Sequence, residues 1–383
     1  MSSPSLAEIL REWGRIGCIG FGGPPVHISL LRELCVNRRG WLSEHDFERA
    51  LAAVNILPGP SSTQLAIYCA WRLRGGRGAV LGGCAFIVPG LVLILALSAL
   101  FLAGSPPRWV RGAGLGAGAA VAAVAVRAGL DIGAPIWLRT PPRLRSRVAV
   151  YALAGATAAA LTGPWLVLVL LACGAAELAL QGGGPPRPSG ATLHAWPALL
   201  ATAAEPGGLA SLLWTALKVG ALAFGGGFVI VPLMQADAVG AYHWMSHEQF
   251  LNAVALGQVT PGPLVQTVAA VGYAAGGVGW GLLAALVAFL PSFSFVLIGA
   301  ARFERLLDDR RARAFLAGAA PAAAGAIVGS AIPLAGALGP FWQVPLLAAA
   351  AVALLVLRGP IVATLLGCGA AGVVLVLLGA PVR

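Results

Sequence analysis

Charged residues are scarce in this chain, and acidic ones are scarcest. Of 383 residues only 10% are Asp, Glu, Lys or Arg, and the acids number 14 against 25 Lys and Arg. Soluble domains carry about 25% charged residues, so a soluble globular class is excluded. Several signatures are absent. No G-x-x-x-x-G-K-[ST] stretch occurs, which argues against a pump that hydrolyses its own ATP. There is no H-E-x-x-H and no G-x-S-x-G, so neither a zinc hydrolase nor a serine hydrolase is indicated. The six cysteines (Cys18, Cys35, Cys69, Cys84, Cys173, Cys368) form no C-x-x-C or metal-type spacing. Most lie in apolar runs, where Cys behaves as a small hydrophobe, so neither disulfides nor a metal or other cofactor is expected. A cleavable leader is not expected either, because Glu8, Arg11, Glu12 and Arg15 interrupt any apolar core of one.

What the chain has in abundance is apolar sequence, with a mean hydropathy of +0.86. Runs such as Ala79–Ala103 and Leu282–Ala301 are long enough to cross a bilayer, which takes about 20 apolar residues. The expected fold class is an all-α polytopic membrane protein in contact with the lipid bilayer. The net charge of +11 would suggest nucleic acid in a soluble protein. Here the arginines cluster between apolar segments, so they read as topology signals and no nucleic-acid partner is expected.

The organising feature is a helix breaker in the wrong place. Asn55-Ile56-Leu57-Pro58-Gly59-Pro60 interrupts an apolar segment, and Gln258-Val259-Thr260-Pro261-Gly262-Pro263 does so again 203 residues later. Proline lacks the amide hydrogen and pushes the preceding residue out of the helical region. In a bilayer the freed backbone is tolerated only where it lines a cavity or is buried in protein. At the same offset Phe21-Gly22-Gly23 falls on Phe224-Gly225-Gly226, Trp41 on Trp244, Ser43 on Ser246 and Phe47 on Phe250. The chain thus reads as two homologous six-helix halves, 1–181 and 210–383, joined by a Gly/Pro-rich linker, 182–209.

Six segments are expected in each half: 6–31, 44–71, 79–103, 110–131, 148–162 and 164–181, then 210–234, 247–275, 280–301, 314–337, 341–357 and 360–380. Ser43 with Asp46 and Ser246 with Gln249 have capping-box spacing and mark the same helix start in both halves. Fourteen helical residues from there place each break about 21 Å along, near the bilayer midplane. Arginines are dense after the second and fourth segments of the first half (Arg72, Arg74, Arg77; Arg139, Arg143, Arg145, Arg147). In the second half they are dense after the third (Arg302, Arg305, Arg310, Arg311, Arg313). A shift of one crossing suggests inverted repeats, a common transporter plan with its site at the repeat interface. Inversion needs an odd number of crossings per repeat, so a thirteenth segment is expected within 191–206. Twelve crossings with parallel halves is the alternative.

The candidate site is built from the breaks. A helix resuming after Pro60 or Pro263 presents free amides and a positive dipole end, a ready anion site. Ser61, Ser62, Thr63 and Gln64 supply side-chain donors in the first half, and Gln266 and Thr267 in the second; Asn55, Gln258 and Thr260 flank the breaks. Gly22, Gly23, Gly225, Gly226 and Gly227 allow a second break or close helix approach. A packing kink is the plainer reading of a lone proline, but not of a repeated Pro-Gly-Pro. Arg15 and Lys218 are repeat-equivalent cations in apolar helices, and such residues read as functional, with snorkelling at a helix end the plainer account of Arg15. Arg127 has Asp131 one turn on, an ion pair. Glu44, His45, His247 and Glu248 read as helix-start complements, and Asp237, His27 and Glu177 as lone groups with weak claims on proton coupling.

Phe21-Gly22-Gly23, Trp41-Leu42-Ser43, Leu57-Pro58-Gly59-Pro60, Phe224-Gly225-Gly226-Gly227 and Gly257-Gln258-Val259-Thr260-Pro261-Gly262-Pro263 resemble the chromate ion transporter family over nearly the whole chain. The resemblance implies a multi-pass protein of the bacterial or archaeal inner membrane, with inverted halves. It implies export of chromate, giving chromate resistance, with sulfate as structural analogue. A transporter or channel for sulfate or another inorganic anion is the alternative reading. Oligomeric state is open, a homodimer among the options.

Overall fold

The computed structural model describes residues 4–57, 59–102, 104, 106–161, 166–181, 207–223, 228–300 and 309–382. Within them the chain is helical, with no strand among the described residues. α1 (Leu6–Ile19) and α2 (Pro24–Arg32, extended by a π turn Glu33–Arg38) form the first segment. α3 (Glu44–Ile56) runs into the first break, and α4 (Ser61–Phe101) leaves it. α5 (Arg108–Arg139), α6 (Arg145–Leu161) and α7 (Leu166–Leu180) follow. After the linker come α8 (Leu209–Leu222), α9 (Ile230–Gln235, with a π turn Ala236–Ala241) and α10 (His247–Val259). A 3₁₀ turn (Leu264–Gln266) leads into α11 (Thr267–Gly276), then α12 (Val278–Gly299), α13 (Arg310–Gly329) and α14 (Ala331–Gly336). α15 (Gln343–Ala351, with a π turn Val352–Val356) and α16 (Ile361–Leu377) close the chain.

Helix bounds recur at the sequence offset. α1 and α8, α3 and α10, and the π turns 33–38 and 236–241 match residue for residue when shifted by 203. The second and third expected segments differ from the structure in one respect: they are continuous in α4. The chain still turns there, because Arg74 (φ −144°, ψ 23°) and Gly75 (φ 60°, ψ −151°) leave the helical region. Gly277 (φ 80°, ψ −167°) makes the matching turn between α11 and α12. The helix starts are also only partly alike. Ser246 and Gln249 close a reciprocal box. The Ser43 hydroxyl accepts from the Asp46 amide and donates to the Asp46 carboxylate (2.8 Å), but the reciprocal bond from the Ser43 backbone amide does not form, Asp being one methylene shorter than the Glu the motif uses.

Four helices among the described residues are long and apolar enough to span a bilayer: 61–101, 108–139, 278–299 and 310–336. Shorter apolar helices accompany them, including 166–180, 209–222 and 361–377. Large apolar side chains face outward, among them Val92, Leu153, Leu286, Ile298, Leu366 and Leu377. The interior of α5 and α13 is instead alanine and glycine. An apolar exterior over a small-residue interior is what lipid as solvent demands. The protein is a polytopic membrane protein.

The packing interleaves the sequence halves. α5 lies against α16 and α15 of the second half, and α13 lies against α6 and α7 of the first. Small residues make these approaches possible. A methyl group on Gly116 would overlap the Cys368 carbonyl, and one on Gly325 the Ala152 carbonyl. Gly114 and Gly118 are packed likewise, against Asn252 and Leu251 of α10.

Candidate functional site

The two breaks have the same backbone course. In the first, Leu57 is extended (φ −73°, ψ 144°), Gly59 has φ +117°, and Pro60 is extended before α4 restarts at Ser61. In the second, Thr260 (φ −89°, ψ 144°), Gly262 (φ +96°) and Pro263 repeat it before Leu264. Pro58 lies outside the described residues. The left-handed step is why glycine stands between the prolines, since other residues enter it only with strain.

Each break reaches into the other half. The Gly262 amide donates to the Gly20 carbonyl at the end of α1, 3.0 Å away. Gly59 lies against α8, so that a Cβ there would stand 3.3 Å from the Gly220 carbonyl oxygen. The first helix of each half is itself pressed onto the helix after the bend. Methyls on Gly17 and Gly220 would run into the backbone carbonyls of Phe86 and Ala288 respectively. The breaks, α1, α8, α4 and α12 thus form one packed centre.

The two breaks differ in how their polar groups are used. In the second, the Gln266 amide donates to the Thr260 hydroxyl (3.0 Å) and the Pro261 carbonyl (2.8 Å). Thr260 and Thr267 return their hydroxyls to the Leu256 and Leu264 carbonyls. Gly90 of α4 sits directly over the Pro261 carbonyl, with no room for a side chain. These donors are consumed inside the turn. Gln258 Nε2 and Gln266 Oε1 have no hydrogen-bond partner among the described residues.

The first break opens on space. Asn55, Gly59 and Ser61 line a cavity of about 320 Å³, walled by Ile132 and Ile136 of α5, Val229, and α13. A second cavity of about 580 Å³ shares Leu57, Leu316, Ala319 and Ala323 with it and extends to Asp309 and Arg311 at the start of α13. Ser61, Ser62, Thr63 and Gln64 are all buried. They occupy the first turn of α4, whose leading amides have no intrahelical acceptor. Thr63 Oγ1 finds no partner among the described residues. The cavity therefore adjoins a helix N-terminus with hydroxyls in its first turn, an arrangement suited to an anion.

The expected cations are not brought there. Arg15 is exposed and approaches Glu12 at 3.9 Å. Glu12 is the anchor of that cluster, accepting from Arg38 (2.6 Å) and Arg39 (2.9 Å). Lys218 donates to Asp237, which also accepts from Thr215 at 2.7 Å. Both charges are thus compensated locally, and neither residue lines either cavity. The structure places Arg15 and Lys218 in local ion pairs away from the two cavities, and an ammonium in an apolar helix is tolerated where a carboxylate one helix away neutralises it. Arg127 pairs with Asp131 and with the Leu354 carbonyl, the structural role expected of it. Gly22 (φ 104°) and Gly23 (φ 77°) do break the first segment, and Phe21 beside them is exposed. Phe224, Gly225, Gly226 and Gly227 lie outside the described residues.

One residue with only a weak claim on proton coupling by sequence stands at the centre. His27, fully buried on α2, approaches the Gly20 carbonyl with Nε2 (2.9 Å) and Ser62 Oγ with Nδ1 (3.3 Å). Its ring meets the Phe86 ring edge-on at 5.0 Å. Nothing in local spacing links residue 27 to residue 62, and the repeat hides it, because the equivalent position is Ile230.

The chromate transporter family model matches residues 7–178 and again 210–373. A chromate transport protein of Pseudomonas aeruginosa is 34% identical over 86% of this chain and 81% of its own length. One from Cupriavidus metallidurans is 30% identical over 86% of this chain and 83% of its own. A probable chromate transport protein of Synechococcus elongatus is 28% identical over 86% and 84% respectively. No solved structure matches the chain.

Proposed function

The chain belongs to the chromate transporter family, a membrane transporter and not an enzyme, and on that premise we propose that it exports chromate from the cytoplasm across the inner membrane of a bacterium or archaeon, with sulfate as a bound analogue. The carrying observation is the cavity at the first break, lined by Asn55, Gly59 and Ser61 beside the N-terminus of α4. Chromate and sulfate are tetrahedral dianions, and such ions are held by several N–H and O–H donors in a positive potential without a metal. The amides of Ser61, Ser62 and Thr63 and the hydroxyls of that turn form the donor set. Asn55 adds an amide from the opposite side of the break.

The second break supports the first and does not duplicate it. Its glutamine and threonines hold the turn rigid, and its Gly262 amide ties that turn to α1. The halves are proposed to be inverted, 1–181 and 210–383, with 13 crossings. The arginine shift favours this, and so does the way each break enters the opposite half. Two breaks meeting from opposite faces suit alternating access around a fixed site.

Labelled chromate and sulfate flux in everted membrane vesicles tests the proposal. An exporter loads everted vesicles with chromate under an imposed gradient, and excess sulfate slows the loading. If neither anion enters under any gradient, the assignment fails. Asn55→Leu is expected to raise the chromate KM by about tenfold, the loss of one hydrogen bond to a charged group, while protein level in the membrane is unchanged.

A further inference from the structure

The oxyanion site just described has a gap in its electrostatics. A dianion moving from water into an apolar cavity loses strong solvation, and helix amides return only part of it. A full positive charge nearby would make up the remainder. The expected cations are occupied by Glu12 and Asp237. His27 lines neither cavity, but its ring contacts the first turn of α4, the turn that opens on the first of them.

In the neutral ring its hydrogen bonds select the tautomer. A carbonyl oxygen only accepts, so the contact to Gly20 requires a hydrogen on Nε2. Nδ1 then holds a lone pair, and the Ser62 hydroxyl donates to it. Ser62 belongs to the first turn of α4, next to cavity-lining Ser61. The groups facing the ring are all uncharged: the Gly20 carbonyl from α1, and Ser62 and the Phe86 edge from α4. On α2 itself Arg32 is paired with Glu44 and Glu48, and on the adjoining π turn Glu33 bonds Asn37. Among the described residues no carboxylate contacts the ring, and an arriving dianion is the partner that would favour the imidazolium.

We propose that His27 takes up a proton when the oxyanion binds, so that the proton is a second substrate of the transporter. This rests on the oxyanion reading of the first break. The proton comes from water and adds to Nδ1. The Ser62 hydroxyl then turns from donor to acceptor towards His27, and its own O–H, still bound to Oγ, is free to donate to another acceptor at the first turn of α4. One event supplies a full positive charge and one more donor. The loaded site carries one negative charge less through the bilayer. A dianion leaving with one proton still moves net negative charge outward, so an inside-negative potential continues to drive export.

The test is proton uptake on chromate binding by the purified full-length protein, measured calorimetrically in two buffers of different ionisation enthalpy at a pH where free chromate is a dianion. Wild type is expected to take up about one proton per chromate, and His27→Gln close to none, because Gln keeps the donor to Gly20 but cannot be protonated. Uptake by His27→Gln equal to wild type overturns the proposal, since the proton then enters elsewhere. Chromate binding by wild type without uptake overturns it too. If wild type binds no chromate, the oxyanion reading itself fails. Nitrogen NMR of histidine-labelled wild type covers the case of a variant that does not fold. The unprotonated Nδ1 signal is expected to vanish on adding chromate, and its persistence in the bound state refutes the idea.

Discussion

At the scale of single residues, the sharpest demand is on the glycines between the prolines. Gly262 combines φ +96° with an amide bonded to Gly20. Gly262→Ala is expected to cost about 1–3 kcal/mol of backbone strain and to reduce chromate flux in vesicles at least as much as it lowers thermal stability. Lys218 makes a different prediction. Lys218→Met leaves Asp237 charged and buried, which is expected to cost about 3 kcal/mol and deplete the protein from the membrane. The double variant Lys218→Met, Asp237→Asn removes both charges and is expected to recover protein level and chromate flux. Failure of flux with normal level would return Lys218 to the transport site. These residues also show what the sequence could disclose. The Pro-Gly-Pro turns were legible, because proline and glycine constrain their own backbone. The fate of Lys218 was not, because its partner lies 19 positions away on another element and no local rule joins them.

At the scale of elements, many segment bounds were legible to within a few residues, but the segment expected at 110–131 runs on to Arg139 and the bounds at 71 and 79 lie within one helix. Caps at Ser43 and Ser246 and the duplicated prolines punctuate the chain chemically. The turn at Arg74–Gly75 falls in the Arg- and Gly-rich gap between the expected segments 44–71 and 79–103; what the sequence did not disclose is that helix continues on both sides of it without a loop. The close contacts of α1 with α4 and of α8 with α12 explain why Gly17 and Gly220 share the repeat register. A side chain at Gly220 has to displace a backbone carbonyl, not a flexible neighbour. Gly220→Ala is expected to destabilise by about 1–3 kcal/mol through overpacking, read as a lower melting temperature in detergent. The same change at Gly23, where an added Cβ meets nothing within 4 Å, tests backbone conformation alone.

At the scale of the whole molecule, the surprise is the exchange of helices between halves. The duplication was plain in the sequence, but nothing in a repeat says whether its copies fold side by side or into each other. Here α13 packs on α6 and α7, and α5 on α15 and α16. Severing the chain between Gln181 and Gly207 is therefore expected to leave neither half stable by itself, while co-expression of both restores chromate flux; a half that is stable and monodisperse alone would contradict this. The same exchange sets a timetable for biosynthesis. The hairpin α6–α7 leaves the ribosome well before its partner, since α7 ends at Leu180 and α13 begins at Arg310. At about 5–20 residues per second, the hairpin waits in the lipid for roughly 7–26 s with its small-residue face unmatched. During that interval it is open to misplaced partners and to quality-control proteases, so slow translation of the second half should cost more protein than slow translation of the first.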